Sequence, residues 1–276
     1  MLRWLSVTGR VFYAAGLIGI GIQHFIFADF IPVILPWWPP WIPGRSLWAY
    51  AAGAALVAVG VSMLAGFHAR TVAAITGTGI LILVLFDDIP AQLQGSLGHL
   101  GVWTDTFKAL SLCGGAWVVA LSLGDQKFRL PQTLETLMPF GRYFLPITMI
   151  VFGLDHFLYT AFVATLVPGW IPGHVFWIYF AGVALIAAGV AMVLDIQARL
   201  ASLFLGIMIF LWVLLLHLPR AFADASSGKG NEWTSVFEAL AFSGVALMLV
   251  AWSSRSASGA AITTYPEPTI TTRTSY

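Results

Sequence analysis

Apolar runs of about 17 to 21 residues recur along this chain, each about long enough to cross a hydrocarbon core of about 30 Å as a helix rising about 1.5 Å per residue. They lie at Val11 to Ala28, Leu47 to Gly66, Thr71 to Phe86, Phe107 to Leu123, Tyr143 to Val163, Val175 to Leu194, Leu200 to Leu218 and Val236 to Trp252. Lipid offers no partner to a backbone amide, so only helices and closed barrels span a membrane. Alternating runs of about 10 residues, the mark of a barrel, do not occur. An all-α integral membrane protein of about eight transmembrane helices is expected. With 59% hydrophobic and 9% charged residues, the chain must be solvated mainly by lipid. The first run follows Arg3 and Arg10 as in a signal peptide, but Gly16, Gly19, Gly21 and His24 make a poor cleavage region. It reads as a retained helix.

Basic residues set the expected orientation. Arg3, Arg10, Arg70, Lys127, Arg129, Arg142, Arg199, Arg255 and Arg273 fall at the termini and even-numbered connections, whereas Arg45, Lys108, Arg220 and Lys229 fall in the others. A bacterial-type inner membrane with both termini cytoplasmic follows. A net charge of +1 without a basic patch argues against nucleic acid. The lone Cys113 rules out an intramolecular disulfide or a Cys-x-x-Cys relay.

The chain is internally duplicated. Trp41 to Pro90 lies over Trp170 to Pro219 without a gap, with 21 of the 50 positions identical. Trp41-Ile42-Pro43-Gly44 meets Trp170-Ile171-Pro172-Gly173, and Ala69-Arg70 meets Ala198-Arg199. Outside that block, Gly21 to Phe25 meets Gly153 to Phe157, and Trp103-Thr104 meets Trp233-Thr234. Four helices per copy is an even number, so both copies enter the membrane in the same direction, related by a pseudo-twofold along its normal. The expected organisation is a first four-helix repeat over 1–123, a polar cytoplasmic linker over 124–141, a second repeat over 142–252 and a disordered cytoplasmic tail over 253–276.

Ionisable residues in or beside lipid are costly and become the first functional candidates. His24, Asp88 and Lys108 occupy in the first copy the places of His156, His217 and Glu238 in the second, with Asp155 beside His156. Asp87 and Asp88 are expected to end the third span. All these residues fall toward the non-cytoplasmic side. Asp88 aligns with His217 and Lys108 with Glu238, so the copies have become complementary in charge, and one or both pairs are expected to meet between them. The plain alternative for the histidines is hydrogen bonding to a neighbouring helix; for Lys108 and Glu238 it is a structural ion pair. Trp38, Trp41 and Trp170 lie in Pro-rich loops, either as interfacial anchors or as a lid over a pocket. No cluster suggests a metal site, and no His-Glu-x-x-His or nucleophile signature suggests a hydrolase.

Gly21 to Phe25, Ala69-Arg70 and Asp88-Ile89-Pro90, repeated as Gly153 to Phe157, Ala198-Arg199 and His217-Leu218-Pro219, resemble the DoxX-like family of small membrane proteins. Typical members look like single four-helix units, and this chain is a tandem fusion. The resemblance implies a role near quinone-linked or thiosulfate-linked electron transfer, beside a membrane redox partner, and carries over no catalytic residue. From the residues themselves, the leading expectation is an accessory protein that binds a lipophilic molecule such as a quinone or isoprenoid lipid. Haem held between His24 and His156 is one alternative, and a transporter or partner-stabilising subunit another.

Overall fold

The computed structural model describes residues 1–31, 41–94, 99–123 and 129–262, with side chains described as far as Trp252. Among the described residues all regular structure is helical. The long helices are α1 (Leu2–Phe27), α2 (Arg45–Ala65), α3 (Ala69–Leu83), α4 (Thr104–Ser122), α5 (Phe144–Leu158), α6 (His174–Val193), α7 (Ala198–Trp212) and α8 (Ser227–Ile262). With their helical extensions, seven of them are long and apolar enough to cross a membrane, the architecture of a multi-pass membrane protein. The eighth, α4, is 19 residues long and less apolar, and every residue from Ser111 to Ala120 is buried. A helix surrounded by protein has no lipid to match, which is why Ser, Gly and Lys108 are tolerated there.

The Trp-Ile-Pro-Gly loops turn into α2 and α6 through Gly44 and Gly173, whose φ values of 77° and 71° are left-handed and suit glycine. Behind them α1 crosses α2 closely: a Cβ on Gly53 would strike the Gly21 carbonyl and His24, and one on Gly182 would strike Phe157, His156 and the Gly153 carbonyl. Stacked rings close both crossings, Phe25 on Tyr50 at 5.8 Å and Phe157 on Tyr179 at 5.3 Å.

The spans end later than their hydropathy suggests. α3 continues through a π-helical turn, Val84–Asp88, into Ile89–Gln94, and α7 through Val213–His217 into Leu218–Ala223. The amide of Ile89 bonds the Val84 carbonyl, and that of Leu218 bonds Val213. Pro90 and Pro219 give the cause: each lacks an N–H, and its ring would collide with the carbonyl four residues back, so the preceding turn widens by one residue. Asp87 and Asp88 therefore lie within a continuing helix, not at its end as expected.

Each half keeps its third and fourth helices together, α3 on α4 and α7 on α8. The first helices cross over: α1 packs along α8, and α5 with the preceding turn Met138–Tyr143 packs on α4. Gln23 on α1 donates to the Gly230 carbonyl and to Thr234 Oγ1 on α8 at 2.9 and 3.0 Å. Ser111 on α4 donates to Thr148 on α5 at 2.8 Å.

The segment read as a polar linker is largely helical where described, over Gln132–Leu137 and Met138–Tyr143. Met138 and Gly141 are buried, and Glu135 accepts two hydrogen bonds from Arg70 at 2.6 and 2.7 Å. The expected tail begins inside a helix, since α8 runs to Ile262; 263–276 and the linker's 124–128 lie outside the described residues.

Candidate functional site

The sequence-derived candidates separate into three groups. At the centre, Lys108 on α4 and Glu238 on α8 meet with Nζ and Oε2 3.3 Å apart, and Lys108 also holds Asp105 one turn away at 3.0 Å. The charge complementarity between the two sequences thus corresponds to a contact between the halves. Glu238 is 3% exposed, and the pair sits where α4 and α8 meet. Asp88, also 3% exposed, stands on the π-helical turn of α3 against α4, close enough to Asp105 to interact with it electrostatically. On the other flank His217, on the matching π-helical turn, senses Lys108, Arg220 and Glu232. Among the described residues no ion pair joins Asp88 to His217; they flank the Lys108–Glu238 contact instead.

This central group is incompletely satisfied. Among the described residues, the buried atoms Asp87 Oδ2, Asp88 Oδ2, Thr106 Oγ1 and Glu238 Oε1 have no hydrogen-bond partner. A buried polar atom left so costs about 1–3 kcal/mol, and such atoms ask for an outside donor. Lys108 has three N–H donors and uses two of them here. These residues can therefore accept several hydrogen bonds, and Lys108 can donate one more, to a polar head placed against α4.

The histidines behave differently from the expectation of ligand binding. His24 is 1% exposed; its Nδ1 lies 2.8 Å from the Ile20 carbonyl, and its Nε2 accepts the Ile31 amide at 3.4 Å. With Nδ1 protonated, both ring nitrogens are used, leaving no lone pair for a metal or ligand. His24 ties down the chain leaving α1. His156 repeats the first bond, Nδ1 to the Phe152 carbonyl at 2.7 Å, and its ring stacks near Trp212 at 6.4 Å. Each histidine leans on the second helix of its own half, at Gly53 and Gly182. That geometry gives no support to a haem shared between them.

Asp155 belongs to a third group, on the α4–α5 side. Its Oδ1 is buried without a hydrogen-bond partner among the described residues and feels His99, whose ring stacks on Tyr159 at 4.6 Å. Trp41 and Trp170 are 78% and 66% exposed, the placement of interfacial anchors; Trp38 lies outside the described residues.

Sequence reading missed the ion pairs that frame this end of the bundle. Arg220 grips Glu232 through two bonds, at 2.9 and 2.5 Å, and donates to the Thr165 carbonyl. Asp29, just past α1, holds Arg45 at 2.5 Å and also Lys229, joining the starts of α2 and α8. Burial would raise the Asp29 carboxyl, but the bonds from Lys229 and Arg45 and from the Phe30 amide outweigh it and hold it down at about 2. In the sequence Arg45, Arg220 and Lys229 figure only as basic residues of the connections between spans.

Comparison with protein-family models finds no match, and neither the comparison with curated proteins nor that with solved structures returns one.

Proposed function

We propose that this chain is an accessory protein of a bacterial-type inner membrane, DoxX-like in kind, that binds the polar head of a quinone or isoprenoid lipid at the junction of its two halves. In this reading α4 is an eighth span, the halves are parallel copies about a pseudo-twofold along the membrane normal, and both termini are cytoplasmic. The recurrence of the left-handed glycine turns, histidine bonds, ring stacks and π-helical turns at aligned positions supports the duplication.

One observation carries the binding role: among the described residues Asp88 and Thr106 each keep a buried oxygen without a hydrogen-bond partner, and so does Glu238, whose other oxygen meets a Lys108 with a proton to donate. A quinol or isoprenol hydroxyl supplies O–H donors to the carboxylates, while a quinone carbonyl accepts from Lys108 or Thr106. Burial between helices gives such contacts more strength than they have in water. The role fits a component of membrane redox metabolism that holds its ligand beside a partner.

The test is mass spectrometry of an organic extract from protein purified in mild detergent, set against an unrelated protein from the same membranes. A quinone or isoprenoid lipid enriched in the wild type, and lost in a monodisperse Asp88→Leu variant, supports the reading. Equal amounts in wild type, variant and control would overturn it.

A further inference from the structure

The halves meet at two corresponding crossings, α1 with α8 and α5 with α4. The first is sealed by the protein itself. The Gln23 amide donates to the Gly230 carbonyl and to Thr234 Oγ1 at 2.9 and 3.0 Å. Phe27 covers the same spot, since a Cβ on Gly230 would strike its ring, and Lys229 holds Asp29 beside it.

Counting from the matched pairs Phe25 with Phe157 and Trp103 with Trp233, the α4–α5 crossing carries Asp155, Tyr159, His99 and Leu100 in the places of Gln23, Phe27, Lys229 and Gly230. Leu100 has a side chain where Gly230 leaves room for the Gln23 amide, and aspartate is shorter than glutamine by one methylene. Crowding accounts for the shorter side chain but not for its charge, because an ionised carboxyl has no hydrogen to give.

The second crossing is accordingly left open. Among the described residues Asp155 Oδ1 is buried without a hydrogen-bond partner. Tyr159 follows one turn later, its amide on the Asp155 carbonyl at 2.8 Å. Its hydroxyl oxygen accepts the Gly101 amide at 3.3 Å, while its own proton meets no acceptor among the described residues. Thr104, the counterpart of Thr234, turns to the Gly101 carbonyl of its own segment at 2.7 Å. The acid that Lys229 holds has become Ala161, and His99 stacks on the Tyr159 ring instead. An acceptor without a donor thus stands one turn from a donor without an acceptor. Beside them Leu158 and Phe162 are 62% and 66% exposed, an apolar margin to this polar pair.

We propose that the α4–α5 crossing is a second binding site, separate from the junction site, for the hydroxyl of a membrane-borne alcohol: its O–H donates to Asp155, its oxygen accepts the Tyr159 proton, and its hydrocarbon lies on Leu158 and Phe162. A hydroxyl is both donor and acceptor. An ether or carbonyl has no proton for Asp155, and an ammonium has no lone pair for Tyr159. Isoprenols and lipids with a glycerol head share the required group.

The experiment is photolabelling of the full chain in mild detergent with a long-chain alcohol that carries a diazirine, the labelled peptides being located by mass spectrometry. Labelling is expected within 99–104 and 155–162, displaced by dodecanol and not by methyl dodecyl ether. Displacement by farnesol identifies an isoprenol as the natural source, and displacement by phosphatidylglycerol a glycerol head. Tyr159→Phe should weaken labelling by about two- to tenfold, the worth of one hydrogen bond. Asp155→Gln combined with Leu100→Gly installs the residues that seal the first crossing, and should remove the labelling without lowering the unfolding temperature. Asp88→Leu, which bears on the junction site, should leave it unchanged. Equal displacement by the ether, or labelling that survives both Tyr159→Phe and the combined variant, would overturn the proposal. Loss of the label in Asp88→Leu alone would also overturn it, by tracing the alcohol to the junction site.

Discussion

At the level of single residues the decisive contact is Lys108 with Glu238, because it joins the two halves inside the bundle. Removing one partner strands the other charge in a low-dielectric site, which costs about 3–5 kcal/mol. Lys108→Met and Glu238→Leu should each lower the unfolding temperature in detergent more than the double variant does, and additive losses would show that the two do not interact. Charge reversal at both positions should restore only part of the loss, since Asp105 also faces position 108. Asp29 supplies a pH test. Its carboxyl is held at about 2 against about 3.9 in an unfolded chain, so its contribution is fully present above about pH 4 and fades as pH falls through about 2. Asp29→Asn should therefore reduce thermal stability near neutral pH, and the gap to wild type should close in acid. A gap that stayed constant with pH would mean that Asp29 is not the titrating partner of Arg45 and Lys229.

Helices and turns show what sequence patterns carry and what they omit. Span positions were legible because hydropathy is a local signal, and the meeting of Lys108 with Glu238 was legible because two copies of one unit had diverged to opposite charges. The longer ends of α3 and α7 were not: Asp87, Asp88 and His217 looked like the limits of apolar runs, although Pro90 and Pro219 already stood where a π-helical turn would be needed. Nor were Arg220 with Glu232, Asp29 with Lys229, or Arg70 with Glu135, since each depends on which helix ends approach in space. The role of His24 was not legible: a bond to a neighbouring helix was the plain expectation, whereas one bond goes to Ile20 of its own helix and the other, to the Ile31 amide, depends on how the chain folds back after α1. Packing at the glycine crossings is testable directly. Gly53→Val forces a side chain into the Gly21 carbonyl and should destabilise by about 1–3 kcal/mol, and Gly182→Val should do the same at the matching crossing. A mild effect at one site and a severe one at the other would show that the crossings are not equivalent.

In the whole molecule the two halves are interlocked. α1 lies along α8 and α5 along α4, so each half's first helix finds its main cross-half support on the other half's last helix. Residues 1–123 expressed alone should be unstable, and should co-purify with residues 129–276 when the two are made together; a stable, monomeric first half would contradict this arrangement. The same interlocking places the polar residues of both halves at one end, where the proposed ligand site lies, provided that α4 crosses the membrane and the halves run in the same direction. Single cysteines introduced at His68, Gln132, Trp41 and Asn231, in a chain whose native Cys113 is buried and silent, test this with a membrane-impermeant thiol reagent on sealed vesicles of one orientation. Labelling of 41 and 231 from one side, with 68 and 132 reached only after the membrane is opened or in inverted vesicles, is the expected result. Residue 132 reached from the same side as 41, with 231 reached from the opposite side, would contradict the parallel duplication and the single outward junction built on it.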